Sequence, residues 1–267
     1  MNYDQLSIDL FQKFIRARSH AGRILPPLPY GWIDLPSKLH PAFIPYNEMV
    51  DGFSMELSNA GNQFRRYIDN LEAWETVILP LEISEKFHAI VEFVEPIANA
   101  ALTAPYVIQN RFLFASAHLC HEANRNKVAA WIDDLPEDDK IQQLHADKAG
   151  KPWKKSYTRF RQALDPIAGP AHRAATHNFR NKFMHQFPQR IELGITSTAK
   201  RVKHPLTGKT CIGIGGDAPL LISDFLPELR KQYDHIVEAY ARYRALVDAQ
   251  SAFVRMKNEE LLSVVNY

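Results

Sequence analysis

Residues Ser223–Leu262 read SDFLPELRKQYDHIVEAYARYRALVDAQSAFVRMKNEELL. Ser223 or Asp224 offers an N-cap oxygen, and Pro227 falls in the first turn, where a backbone N–H has no intrahelical partner to lose. Beyond them Tyr233, Ile236, Tyr240, Tyr243, Val247 and Val254 keep a roughly heptad stripe. The pattern predicts a single helix of about 40 residues, about 60 Å long at 1.5 Å per residue. That exceeds a compact domain, so part of the helix is expected to pack on a partner chain.

The same periodicity recurs upstream. Helices are expected at Tyr3–Arg18, Ser54–Ile78, Ser84–Ala101 (with a kink at Pro96), Pro105–Ile132, Pro136–His145 and Trp153–Leu164. Between the first two lies Leu25–Tyr46, which holds six of the 17 prolines and is read as extended chain. Its Tyr30, Trp32, Phe43 and Tyr46 argue that it packs on the domain, since a free linker carries fewer aromatics. Gly169-Pro170 opens another helix, with Ala171, Ala175, Phe179 and Phe183 four apart, and Pro188 stops it near Gln186. Arg190–Val202 and Thr210–Ile214 look like strands, joined through the turn Pro205-Leu206-Thr207-Gly208. The expected fold is therefore an all-α helical bundle with a long C-terminal helix and a β-hairpin insertion near 190–215. Its organisation is an N-terminal arm over residues 1–50 packed on one helical domain over 51–267.

With 46% hydrophobic and 23% charged residues over 267 positions, the composition is globular, neither disordered nor fibrous. Two cysteines, Cys120 and Cys211, exclude a disulfide scaffold and favour a reducing compartment. The most apolar stretch, Ala89–Ile108, is broken by Glu92, Glu95 and two prolines, and Met1-Asn2-Tyr3-Asp4 lacks the basic and apolar regions of a signal peptide. The expected location is cytoplasmic. The net charge of +2 hides an asymmetry. Between Pro170 and Gly215 stand Arg173, Arg180, Lys182, Arg190, Lys200, Arg201, Lys203 and Lys209 against Glu192 alone, a candidate polyanion-binding segment.

The helix expected over 170–187 also carries His172, His177 and His185. Asn181 and His185 are four apart and share a face, so the amide is placed to orient the imidazole. Arg180 is five residues from His185, about 140° around the helix, and long enough to bend toward the same cleft. A neutral histidine can take a proton from a hydroxyl near pH 7, and a guanidinium can hold a phosphate through paired donors.

Arg180-Asn181-x-x-x-His185 resembles the signature of the HEPN superfamily, an Arg followed after four to six residues by a His, often with a polar residue directly after the Arg. The resemblance covers roughly residues 54–265. It implies a helical bundle that dimerises to bring two motifs into one composite cleft. It further implies a metal-independent endoribonuclease in many members, common in toxins and antiviral defence, and a non-catalytic nucleotide-, RNA- or protein-binding module in others. Carried over, Arg180, Asn181 and His185 are the catalytic set. RNA would be drawn by Lys182, Lys200, Arg201 and Lys203, and products would end in 2′,3′-cyclic phosphate. No cofactor and no metal is implied; the implied partners are RNA, a second copy of the chain, and an antitoxin or defence protein. Two other pairs fit the spacing, Arg230–His235 near the start of the long helix and Arg111–His118 in an apolar stripe, but neither has the following Asn or lies in the basic segment.

Three further features read as structural. His118, His121 and Glu122 fall within one turn but no second cluster completes a metal site. Gly213-Ile-Gly-Gly-Asp-Ala218 has a dinucleotide-like spacing, yet Pro219 follows and no βαβ unit surrounds it. Cys120 and Cys211 belong to no paired motif.

Overall fold

A computed structural model describes residues 3–19 and 25–265; residues 20–24 of the N-terminal arm lie outside them. The helices are α1 (Tyr3–Ser19), α2 (Ile44–Ile78), α3 (Ile83–Ala89), α4 (Glu95–Lys127), α5 (Gln143–Gly150), α6 (Lys154–Leu164), α7 (Pro170–Ala175), α8 (Phe179–His185) and α9 (Ile222–Val265). One antiparallel hairpin, β1 (Ala199–Lys203) and β2 (Thr210–Ile214), interrupts the series. The fold is all-α with a hairpin and a long C-terminal helix, as the periodicity predicts. No helix among the described residues is long and apolar enough to cross a membrane.

Several boundaries differ from expectation. The helix expected to reach Ile132 ends at Lys127; Pro136–His145 holds only a 3-10 turn, Asp138–Lys140, before α5 starts at Gln143; and the strand expected from Arg190 begins at Ala199. Three more differences fall at a proline or a left-handed residue. α2 begins at Ile44, ten residues before Ser54. Pro41 opens a 3-10 turn, Pro41–Phe43, and Pro45 lies in the first turn of α2, where prolines start helices instead of prolonging extended chain. α4 runs straight through Pro105, which forfeits only the bond to the carbonyl of Ala101. The irregularity sits earlier, in a π turn at Ile90–Val94. The helix expected over 170–187 is two short helices, separated at Thr176–Asn178.

The chain forms two compact units. The first comprises Met1–Leu25, Phe64–Ala104 and Gly169–Gln232. Phe14 stacks on Trp74 (centroids 4.8 Å apart) and Trp74 on Phe93 (4.9 Å), a ladder that joins α1, α2 and the π turn. Ile68, Leu71, Val94, Phe179, Phe225 and Leu229 are buried in the same unit.

The second unit comprises Pro26–Gln63, Pro105–Ala168 and Tyr233–Tyr267. Here the Pro-rich stretch lies along α9. Prolines donate no backbone hydrogen bond, so it is their carbonyls that need partners. Tyr233 Oη donates to the carbonyl of Pro26 (2.6 Å) and Tyr240 Oη to that of Pro29 (3.0 Å). Trp32 Nε1 donates to Tyr240 Oη (2.8 Å), Arg255 Nη1 to Asp34, and Asn258 Nδ2 to the carbonyl of Lys38. From α2, Ser58 and Ser54 bond Tyr240 and Tyr243. Gly61 leaves room for Leu28, whose Cδ1 lies 2.3 Å from where a Cβ would stand. The stripe of α9 is thus covered by its own chain as far as Asn258, and its length does not by itself require a partner.

Candidate functional site

The expected motif lies in the first unit, on α8. Gly169 is extended, and Pro170 starts α7. α7 ends because the chain turns left-handed at His177 (φ 49°) and Asn178 (φ 56°). The N–H of Asn178 reaches the carbonyl of Arg173 (2.7 Å) and that of His177 the carbonyl of Ala174 (3.1 Å). This is a Schellman closure with a histidine at the position that glycine usually takes. A left-handed non-glycine residue costs about 1–2 kcal/mol. His177 is held there by Gln189, whose buried amide lies 3.0 Å from His177 Nδ1 and donates to the carbonyl of Ala218 (2.9 Å).

α8 then starts from a buried anchor, Phe179, which stacks on Phe183 (5.7 Å). Arg180 and Asn181 occupy its first turn and are half-buried, while His185 ends it and is exposed. Asn181 and His185 keep the shared face that their spacing predicts. The hydrogen bond by which the amide would orient the ring is not made: among the described residues none joins Asn181 to His185. Beyond His185, Phe187 is 84% exposed.

The other two histidines of this stretch serve the fold. His172 is fully buried, with Nε2 3.4 Å from the carbonyl of Leu102 and Nδ1 3.9 Å from Glu228 Oε1. Burial depresses its pKa, with the Leu102 carbonyl and Glu228 opposing, so the neutral ring is favoured. His177 belongs to the closure before α8.

The four lysine and arginine residues expected to draw RNA do not form one patch. Lys200 Nζ donates to Asp217 Oδ1 (2.7 Å). That hydrogen bond, more than the field of Lys200 and of half-buried Lys182, holds the Asp217 carboxyl below its usual range. Asp217 stands two residues past the basic stretch, outside its bounds in the sequence. Lys200 is thus tied to a carboxylate, whereas Arg201 and Lys203 lie on the other face of the hairpin, exposed. The physical reason is the two-residue alternation of a strand, which sends Lys200 and Arg201 to opposite sides. Arg190 and Glu192, flanking the site, pair with Glu95 (3.5 Å) and Lys86 (3.2 Å).

The remaining sequence features have structural tasks. Gly213 sits under Val202, and Gly216 lets Ile195 approach to 2.1 Å from where a Cβ would stand, so the glycine run permits close packing at the hairpin base. In the second unit, His118 Nε2 lies 3.2 Å from Asp138 and His121 Nε2 3.1 Å from Asp133, while His121 Nδ1 accepts from Trp131 Nε1 (3.3 Å). Both histidines thus face the loop after α4, with His121 bonded to it through Trp131. Among the described residues no group of three or more His, Cys, Asp or Glu side chains is arranged to hold a metal. Cys120 is buried, accepts from Gln250, and its thiol pKa is pushed far up by burial. No family model, no curated protein and no solved structure matches the chain, so the chemistry of α8 rests on its own residues.

Proposed function

We propose that the protein is a metal-independent endoribonuclease of HEPN type, working as a homodimer with a composite cleft. The observation that supports this reading is α8 itself. It ends in an exposed imidazole, His185, with Arg180 and Asn181 one turn earlier and cations on the adjoining hairpin. In the proposed reaction His185 of one copy takes the proton of a ribose 2′-hydroxyl. The oxygen attacks phosphorus, forming the P–O2′ bond as the P–O5′ bond breaks. His185 of the other copy protonates the leaving 5′-oxygen. Arg180 holds the charge that develops on the phosphoryl oxygens. Products are a 2′,3′-cyclic phosphate and a 5′-hydroxyl, and DNA resists for lack of the 2′-hydroxyl. Arg201 and Lys203 are the freer of the RNA-binding cations; Lys200 is tied to Asp217.

One observation favours a second reading, a non-catalytic RNA-, nucleotide- or protein-binding module. Arg180 and Asn181 are half-buried, Arg180 has an interaction of its own, and Asn181 does not hold His185. Cleavage of a fluorescent single-stranded RNA in EDTA separates the two. Cleavage by the wild type, lost in folded His185→Ala, is the expected result. Undiminished cleavage by an Arg180→Ala, His185→Ala double variant overturns the ribonuclease assignment, and binding without turnover favours the module. A toxin or defence role, with its antitoxin or defence partner, follows only from the HEPN resemblance.

A further inference from the structure

The hairpin has two edges of different character. His204 N–H donates to the carbonyl of Lys209 and Gly215 N–H to that of Thr198, both at 2.9 Å. These pairs belong to the ladder that sets Val202 opposite Cys211 and Lys200 opposite Gly213. Hydrogen-bonded pairs alternate in an antiparallel ladder, so the intervening residues turn their N–H and C=O groups away from the hairpin. On β1 these are Ala199, Arg201 and Lys203; on β2 they are Thr210, Ile212 and Ile214. The same six residues stand directly opposite one another and so share a face. All six are exposed, Ile212 by 63% and Ile214 by 85%. The sheet holds only two strands among the described residues.

Native edge strands are usually blunted by charge, proline or a bulge. β1 is blunted, with Lys200, Arg201 and Lys203 in five residues. β2, Thr210-Cys-Ile-Gly-Ile214, has no charge and no proline. No backbone hydrogen bond joins Thr210, Ile212 or Ile214 to another segment among the described residues.

We propose that the β2 edge pairs antiparallel with β2 of a second copy of this chain, joining two hairpins into a four-stranded sheet with the β2 strands at its centre. Antiparallel pairing about a two-fold axis is isologous, so one strand meets its own copy and Ile212 and Ile214 pack on the same isoleucines. Charge selects this edge. Pairing through β1 would set Arg201 and Lys203 against their own copies, like charges face to face. Pairing through β2 sends them to the outer strands, about 14 Å apart at about 4.8 Å per strand and beyond the Debye length of about 8 Å. A charged strand from another protein would find its complement at β1, not at β2. The contact is one five-residue strand edge, which places it among weak, transient associations. It uses no residue of α8. A monomer would count against the ribonuclease homodimer as well, so the exchange of Ile212 and Ile214 and the effect of Ile212→Pro are the readouts that belong to this proposal alone.

The test is sedimentation of the full chain from about 1 to about 100 μM, with amide hydrogen exchange at both ends of that range. A concentration-dependent dimer is expected, with the Ile212 and Ile214 amides slowed only at high protein. Ile212→Pro removes an outward N–H and leaves the hairpin ladder untouched; it should weaken dimerisation about tenfold or more. Arg201→Pro, the same change on the opposite edge, should leave it intact. Exchange in the wild type decides the matter even if a proline variant misfolds. A monomer at the highest concentration, free exchange at Ile212 and Ile214 within a dimer, or a dimer unaffected by Ile212→Pro would overturn the proposal.

Discussion

α4 and α8 both carry histidines near a helix end, and the two regions use them differently. On α4, His118 and His121 are three apart and nearly buried, and each takes an aspartate from the following loop. On α8, His185 is exposed, and among the described residues no side-chain hydrogen bond or ion pair ties its imidazole to the fold. The contrast teaches that spacing along a helix does not distinguish a clamp from a reactive group. What separates them is whether the next segment returns over the imidazole. After α4 the loop at 128–142 does so with Asp133 and Asp138; after α8, Pro188 stops the helix and Gln189 turns to His177 instead.

The strongest way to break the comparison is to exchange the roles by mutation. His185→Ala should lower RNA cleavage about 10²- to 10⁴-fold with thermal stability unchanged. His121→Ala should leave turnover alone while lowering stability by about 1–3 kcal/mol, because Trp131 and Asp133 lose their partner. Single-turnover cleavage and thermal melts of both variants check this, and a catalytic loss in His121→Ala would erase the distinction.

A pH series sharpens it next. Burial depresses the pKa of His118, with Asp138 opposing, and that of His172 likewise. The folded state therefore takes up these protons later than the unfolded chain does, near pH 6.5. Stability should be full above about pH 6.5 and fall as pH drops from there toward the lowered folded values. Melts at pH 7.5 and 5.5 are expected to separate, with a smaller difference in a His172→Gln variant.

Binding gives a smaller effect. Replacing Arg201 and Lys203 by alanine should reduce the salt slope of RNA binding by about 0.7 per contact, or about 1.4 together. Asp217→Asn, which frees Lys200, should raise affinity about two- to fivefold. Titrations at several salt concentrations measure both. The smallest effect is backbone strain before α8: Asn178→Gly should be neutral within about 1 kcal/mol, whereas Asn178→Val should cost about 1–2 kcal/mol, because a branched Cβ resists the left-handed region. Denaturant unfolding resolves the pair.

Periodicity made much of this architecture legible. The stripe Tyr233–Val254 predicts α9 within a few residues, and the turn Pro205–Gly208 predicts the hairpin. Local signals misled where a proline had two uses. Pro41 and Pro45 start α2, and Pro105 is carried inside α4, because tertiary burial compensates one missing hydrogen bond. The break at His177–Asn178 had no glycine to announce it. It depends on Gln189, twelve residues later, and on the carbonyl of Ala218. The pairing of Lys200 with Asp217 is hidden for a similar reason, since their proximity comes from the hairpin and not from sequence distance.

The sequence by itself determined that this chain is helical, where its long helix and hairpin lie, and that Arg180, Asn181 and His185 share one short stretch; these follow from side-chain period, capping and turn chemistry, all local. Tertiary structure alone decided which histidines are buried and which is exposed, that Lys200 meets Asp217 while Arg201 and Lys203 face away, and that no other described strand pairs with the β2 edge. Those outcomes depend on segments far apart in the chain meeting, or failing to meet, and no local propensity encodes that.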